Sequence, residues 1–420
     1  MKFKFSIIEL LLATLICTII FAAPVANAFD SKGEILVNAG TKARDNCPVT
    51  VVVTKDSPLY EVVKSCQPLR AISEKQSASI AVLPIKDGIE LAFVVDGMKA
   101  WETRTYRIEV GTTFNANPVE FKEKSGAIDI SIAGKPFSTY DYTVAENKKM
   151  WPNFYPLLGL GGAPMTRNFP MKKVEGESED HPHHQSLWVS HGDVNGVNFW
   201  NFSAEHGFTK QQEYITSVAP AAGRISAVLD WVDHEGKKIF EEERILTIWG
   251  TPDCARMIDF DLTFKATEGD VKFGDTKEGG LVSLRVASTM REKLLNKEKG
   301  GTILNSKGGV GAGECWGKPA PWCDYSGLVD GNTVGMTIMD YPTNPFYPMR
   351  YHVRDYGLFT ANPFGLSHFI DKSKDGSQTL EKGKTWKMKY RVYIHAGDAE
   401  KGKVAEAFAN FTNAPTVTLK

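Results

Sequence analysis

The sequence predicts an all-β protein: a small β domain followed by a large sandwich of antiparallel sheets. Three observations carry this. Short runs rich in β-branched and aromatic residues, broken by Gly, Asp and Pro, recur from about residue 33 almost to the end. Several of them alternate apolar and polar residues, the period of a strand with one buried face. Convincing helical spacing occurs in a single stretch, "DAEKGKVAEAFANFTN" at 398–413, through Val404, Phe408 and Phe411. Many strands joined by long loops bury their apolar faces best by packing sheet on sheet.

Taken in order, the chain opens with Lys2 and Lys4, a long apolar run and Ala26-Asn27-Ala28. That is the order of an export signal, with cleavage after Ala28 and a mature protein in the periplasm or outside the cell. No later stretch is apolar enough to span a bilayer. Next, "VTVVVT", "ASIAVLPI", "IELAFVV" and "TRTYRIEV" read as strands of a small domain over residues 29–115. The larger domain, 116–420, begins with "AIDISIAGKPFSTYDYT". "RISAVLDWVDHEGKKIFEEERILTIWG" reads as a hairpin turning at Asp233–Gly236. In "RMIDFDLTFKA", Ile258, Phe260, Leu262 and Phe264 form a buried face, and Met257, Asp259, Asp261 and Thr263 a solvated one.

Lys and Arg total 49 against 50 Asp and Glu, and no basic run is interleaved with aromatics, which sets nucleic-acid binding aside. Export permits disulfides. Without Cys17, spacing suggests Cys47–Cys66 and Cys315–Cys323, with Cys254 left as a buried thiol. No CxxC supports a zinc ribbon or a thioredoxin-like site.

The chemistry concentrates in "EDHPHHQSLWVSHGD", which holds His181, His183, His184 and His191, four of the nine histidines. A strand over "QSLWVSH" places His184, Ser186, Trp188 and Ser190 on one side and Gln185, Leu187, Val189 and His191 on the other. Three readings compete: a hydrogen-bonded cluster anchoring a loop, a divalent metal site completed by Asp193 or Glu179, and a polar substrate cleft in which one imidazole is acid or base. The spacing matches no HExxH helix, and "HGDVNG" lacks the downstream glutamate of an EF-hand, Phe202 standing in its place. Two further segments favour the cleft. "MRYHVRDYGLFTANPFG" places His352, Arg354 and Tyr356 on one strand face, and "FGDTKEGGLVSLRVA" offers Asp275, Lys277 and Glu278 before Arg285. Trp151, Trp188, Trp200, Trp316 and Tyr347 crowd the same regions, and sugar rings are held by flat aromatic faces with fixed polar partners.

Together "FYPLLGLGGAPMTRNFPM", "DHPHHQSLWVSHGDVNGVNFW", "FGDTKEGG" and "YHVRDYGLFTANPFG" resemble the bacterial PmoA-like family, labelled "methane oxygenase PmoA". The resemblance covers about residues 120–400. It implies an exported β-supersandwich of the galactose-mutarotase-like kind and a glycan-related role, an association by family rather than by site. Carried over by motif, the site comprises Arg167, His181, His183, His184, Trp188, His191, Asp193, Glu278, His352, Arg354, Asp355, Tyr356 and Asn362.

The resulting expectation is a carbohydrate-active enzyme that hydrolyses, eliminates or epimerises an oligosaccharide or modified sugar. His183, His184 or His352 would shuttle protons, with Glu278 or Asp193 as the carboxylate. Arg167, His181, Trp188, His191, Arg354, Asp355, Tyr356 and Asn362 would bind substrate, the two arginines at an oxidised sugar edge. No cofactor is expected, a divalent metal at the histidines being the alternative. A non-catalytic glycan-binding protein and a metal-dependent oxidoreductase or hydrolase are the rival readings.

Overall fold

The computed structural model describes residues 32–65, 67–111, 113, 117–142 and 151–420. The export signal and Cys66 lie outside the described residues. Among the described residues no helix is long and apolar enough to cross a membrane.

The chain is all-β, as its alternation predicts. The strands of its first part are β1 (Glu34–Asn38), β2 (Cys47–Thr54), β3 (Leu69–Ile72), β4 (Ser77–Ile85), β5 (Gly88–Val95) and β6 (Thr103–Val110). The next group is β7 (Val119–Lys124), β8 (Ala127–Ile132), β9 (Lys135–Asp141), β10 (Asn153–Leu157) and β11 (Leu187–His191). Four long strands follow: β12 (Phe208–Ala219), β13 (Ala222–Val232), β14 (Lys238–Trp249) and β15 (Ala255–Lys265). Then come β16 (Val271–Phe273), β17 (Gly279–Arg285), β18 (Thr302–Asn305), β19 (Trp322–Val329) and β20 (Asn332–Asp340). The last are β21 (Tyr351–Val353), β22 (Leu358–Ala361), β23 (Gln378–Leu380), β24 (Thr385–Ala396) and β25 (Thr416–Leu419).

Two eight-stranded sheets form the sandwich, one in the order β21-β22-β17-β11-β10-β9-β8-β7 and the other β12-β13-β14-β15-β24-β20-β19-β18. Their facing sides share one apolar core, in which Phe154 of the first meets Phe260 of the second at 6.1 Å between ring centroids. The hairpin at Asp233–Gly236 is present, closed by Gly236 N–H to the Asp233 carbonyl at 3.0 Å.

A seven-stranded sheet, β2-β5-β4-β3-β6-β1-β25, makes the small β body. Its seventh strand comes from the far end of the chain, so this body is not contained within residues 29–115. Strands β2 and β25, at the two edges of the order, also touch, so the sheet curls toward closure. The expected helix is present at Val404–Thr412, burying Val404 and Phe411 against the same core.

The small body corrects one reading of the sandwich. Asp259 of β15 is buried rather than solvated, because residues of β15, Ala255 and Met257 among them, join the core of the small sheet. Its carboxylate accepts from Arg391 at 2.6 and 2.8 Å and from the Trp249 indole at 2.9 Å. The cysteine expectations are corrected too. Cys315 and Cys323 are free thiols in mutual hydrogen-bond contact, Cys47 is a free buried thiol, and Cys254 is exposed rather than buried.

Candidate functional site

Register places the site. In antiparallel sheets, directly opposed residues share a face. Asn153 opposes Trp188, Trp188 opposes Ser283, Ser283 opposes Thr360, and Thr360 opposes His352. One row of polar and aromatic side chains therefore crosses five strands on the side turned away from the sandwich core. At about 4.8 Å per strand, Trp188 and His352 stand about 14 Å apart along the backbone. Gly280 at this row has no room for a side chain, since a Cβ there would lie 2.4 Å from the Ser283 hydroxyl and 2.6 Å from Thr360 Cβ.

The histidine loop is clamped onto one end of the row. Ser186 has φ 66°, so the strand begins after it and His184 belongs to the loop rather than to the strand. Arg167, buried, donates to the Phe169 carbonyl at 3.1 Å, to the His181 carbonyl at 3.0 Å and to Asp180. Arg285, also buried, donates to Asp180 at 2.8 Å. Burial raises the Asp180 carboxyl, but His181, Arg285 and Arg167 outweigh it and hold the group well below the usual carboxylate range. Tyr356, His181, His184 and Trp188 then stack in one column, with centroids 5.3, 4.7 and 5.7 Å apart. His183 meets His184 edge-on at 4.5 Å and neighbours Trp200 at 5.9 Å.

Two imidazoles are fixed in opposite tautomers by their partners. Arg285 Nη1 lies 3.2 Å from His184 Nδ1. Guanidinium only donates, so this nitrogen accepts and the proton sits on Nε2. His352 Nδ1 lies 2.6 Å from the Lys277 carbonyl, which only accepts, so His352 carries its proton on Nδ1 and its Nε2 is a bare lone pair. Both Nε2 atoms are buried without a hydrogen-bond partner, as are the indole nitrogens of Trp151, Trp200 and Trp316 around them. Buried polar groups are normally paired, so these unpaired atoms single out the cluster as the candidate site.

Charge follows from burial. Desolvation, followed by the like charge of Arg285, puts His184 well below the ordinary imidazole value. Burial lowers His183 to about 4, as it does His352 against the opposing pull of Glu278. Glu278 is raised by burial, but its ion pair with Lys277 and the nearness of His352 and His183 hold it below the usual range. At neutral pH an ionised carboxylate thus faces neutral imidazoles.

Of the residues singled out in the sequence, His181, His183, His184, Trp188 and Tyr356 come together in ring contact, and Glu278 interacts with both His183 of that group and His352 on β21. Arg167 and Asn362 hold in place the loop and the turn that carry these groups. Asn362 Nδ2 donates to the Thr276 and Lys277 carbonyls at 2.9 and 3.1 Å and so holds the turn carrying Glu278. Arg354 stands over the Tyr356 ring at 5.4 Å, but β21 ends at Val353, and residues 354–357 form a turn rather than one strand face. Asp355 lies in that turn, its carbonyl taken by Lys293 N–H and Tyr325 hydroxyl.

His191 and Asp193 stand apart. His191 points into the core, packed on Phe364 at 4.9 Å and donating from Nε2 to the Gly274 carbonyl at 3.0 Å. Asp193 closes its own turn by accepting from Gly196 N–H at 2.9 Å. Asp180 and Arg285 orient the cluster; from sequence Arg285 is placed on its strand without a role, and Asp180 has none. Their signal was the alternation of Arg285 with Ser283 and a carboxylate next to a histidine loop. Among the described residues no group of three or more His, Cys, Asp or Glu side chains is placed to hold a metal ion. Cavities of about 460 and 570 Å³ lie elsewhere, and neither is lined by these histidines.

Fold and site define an all-β sandwich protein with a buried histidine–carboxylate cluster on one sheet. Residues 127–409 match the family described as "Family of unknown function (DUF6807)", and the chain belongs to it. The four motifs quoted above all fall inside that segment. No curated protein matches. Among solved structures, a glycoside hydrolase family 97 enzyme from Pseudoalteromonas sp. strain K8 is similar over 66% of this chain, at 12% identity and TM-score 0.27. The match covers 34% of that enzyme's length. The same enzyme in complex with panose aligns at TM-score 0.25 with the same identity and coverage. The Slr1438 protein of Synechocystis sp. PCC 6803 aligns over 68% of this chain and all of its own, at 10% identity and TM-score 0.25.

Proposed function

We propose that the protein is an exported carbohydrate-active enzyme that cleaves or epimerises an oligosaccharide or modified sugar by acid–base chemistry. One observation carries the reading: two buried imidazoles, His184 in the loop preceding β11 and His352 on β21, fixed in opposite tautomers, each with an unpartnered Nε2. One offers a hydrogen, the other a lone pair. A substrate with both hydroxyl hydrogens and oxygen acceptors satisfies them together.

The roles follow from charge. His352 Nε2 accepts the proton, and the Glu278 carboxylate stabilises the imidazolium that forms, because an anion beside an imidazole favours its protonated state. For cleavage, the same group returns the proton to the leaving atom. Phe202, 38% exposed and stacked on Trp151 at 5.5 Å, gives the apolar face of a sugar ring a flat platform close to His183.

The test is turnover of an oligosaccharide panel by wild type, His352→Asn and Glu278→Gln, with folding checked by circular dichroism. Losses of about 10²–10⁴-fold in kcat are expected for His352→Asn. Wild-type turnover in both variants overturns the assignment. Sugar binding without any product, unchanged in both variants, would instead make the protein a glycan-binding module.

A further inference from the structure

We infer that Arg291 and Arg354, which meet at the Tyr356 turn, form a binding site for an oxyanion. Within the reading just proposed, on which the identity of the ligand rests, that oxyanion is the carboxylate or sulfate group of an anionic sugar.

Four arginines gather at this end of the histidine loop. Arg285 and Arg354 stand over the Tyr356 ring, their guanidinium carbons 4.8 and 5.4 Å from its centre. Arg167 and Arg285 share Asp180. Arg291 packs its stem on the same turn. A Cβ on Gly357 would lie 3.3 Å from Arg291 Cγ, and Gly357 has φ 97°, so glycine there leaves the stem its place. The loops that carry Arg291 and Arg354 are stitched together through the backbone. Lys293 N–H donates to the Asp355 carbonyl at 3.0 Å. The buried Tyr325 hydroxyl accepts from Glu292 N–H at 2.8 Å and lies 3.2 Å from the carbonyls of both Arg354 and Asp355. Both arginines thus extend from a fixed frame, which lowers the ordering cost of taking a ligand.

One carboxylate serves the whole group. Among the described residues Asp180 alone lies within ion-pair distance of any of the four, and it takes Arg167 and Arg285. Glu292, next to Arg291, accepts from Ala312 N–H at 2.9 Å instead. Arg167 also holds the Phe169 and His181 carbonyls, and Arg285 holds His184, so these two build the loop and are closed to a ligand. Arg291 differs, because its Nε and Nη1 are buried with no acceptor. A guanidinium keeps its charge and only donates, and an uncompensated buried cation is costly. Burial, followed by the like charge of Arg167 and in smaller part of Arg291, lowers Arg285 to about 9 in spite of Asp180, as an excess of positive charge requires. What suits such an excess is an anion with several acceptor oxygens, which planar guanidinium groups bind through charge-assisted hydrogen bonds. His181, stacked on Tyr356 at 5.3 Å, is 40% exposed, so this end of the column opens to solvent. The stack continues to His184 at 4.7 Å, which puts the charged group of a sugar at the outer end of the histidines. Of the two arginines expected from sequence at a charged sugar edge, Arg354 keeps that role and Arg167 yields it to Arg291.

The experiment titrates the full chain by calorimetry with four probes: inorganic sulfate, a uronic-acid oligosaccharide, a sulfated oligosaccharide and their neutral parent. A charged oligosaccharide should bind about 10–100-fold more tightly than the neutral parent and lose that advantage as sodium chloride is added. Which of the two binds identifies the source of the oxyanion. The advantage should vanish in Arg291→Met and fall in Arg354→Met. Met keeps the apolar stem of Arg291 and removes an unpaired cation, so Arg291→Met should unfold in urea no earlier than wild type. A clear loss of stability there would show that Arg291 already has a partner and would overturn the site. Sulfate at constant ionic strength should raise the thermal midpoint of wild type more than that of Arg291→Met. Equal binding of charged and neutral oligosaccharides, or a charged advantage that survives in Arg291→Met, would overturn the site while leaving the carbohydrate function standing. Sulfate held through Arg291 with no oligosaccharide bound at all would keep the oxyanion site and remove the carbohydrate reading. Silence of all four probes removes both.

Discussion

His191 makes the fold sensitive to acid in a way that can be measured alone. Its ring is buried in an aromatic nest of Phe273 and Phe364, and burial lowers it from 6.5 to about 4 in spite of the Gly274 carbonyl and Asp193, which pull the other way. In the unfolded chain the same ring titrates at its ordinary value. Between those two values the unfolded state binds a proton that the folded state does not. Stability is therefore lost as pH falls, by about 1.4 kcal/mol per pH unit. Across the window from 6.5 to about 4 the sum is about 3 kcal/mol, a large part of a typical stability. His191→Gln keeps a donor within reach of Gly274 but does not titrate. Urea unfolding of both proteins at neutral pH, pH 6, pH 5 and about pH 4 isolates the effect, because every other titrating group cancels in the difference. Wild type should lead the variant most at neutral pH, and the lead should shrink by about 3 kcal/mol toward pH 4. A lead that does not change with pH would show that His191 is not buried in its neutral form.

Other perturbations address separate parts of the structure. Asp180→Asn leaves Arg167 and Arg285 without their shared carboxylate. It should cost about 2–3 kcal/mol by urea unfolding, the lower range for breaking a buried pair because Asp180 is itself partly solvated. It should also release the histidine loop, seen as loss of His181 and His184 ring-current shifts in NMR. Gly335→Ala would set a Cβ 2.3 Å from the His395 ring, which Asp324 holds at 2.8 Å, so thermal unfolding should register an overpacking cost of about 1–3 kcal/mol. The Asp324 carboxylate raises His395 against the lowering effect of burial. Its contribution is complete below the ordinary imidazole value and fades as pH rises through the folded one. The penalty of Asp324→Asn should accordingly be greatest in mild acid and diminish in alkaline buffer, as followed by denaturant midpoints.

Local patterns were legible in the sequence, and their partners were not. Alternation located the long strands β13, β14 and β15 and placed Trp188 and Ser190 on one side of β11, because strand period is a property of neighbouring residues. It misjudged Asp259, because a second sheet covering that face is a matter of tertiary packing. It extended the strand of His352 through Tyr356, where the chain turns back at Gly357 with φ 97°. For the site, histidine density found the loop, while His191 in the same motif faces the opposite side by simple strand parity. Asp180 was invisible for a different reason. Its importance comes from two arginines more than ten and one hundred residues away, and no spacing encodes that meeting. The opposed tautomers depend on a guanidinium and a backbone carbonyl, the second of which carries no side-chain signature at all.

Strand β25 pairs with β1 through Ile35–Leu419 and Val37–Val417, and the Lys420 N–H reaches the Glu34 carbonyl at 2.8 Å. A ribosome releasing residues 32–110 therefore delivers a sheet whose β1 edge stays open until more than three hundred further residues have been made. During synthesis that edge is a template any passing strand could join, and its closure coincides with completion of the sandwich. Clipping the chain before residue 416 should therefore reopen the β1 edge of the early sheet rather than merely trim a tail.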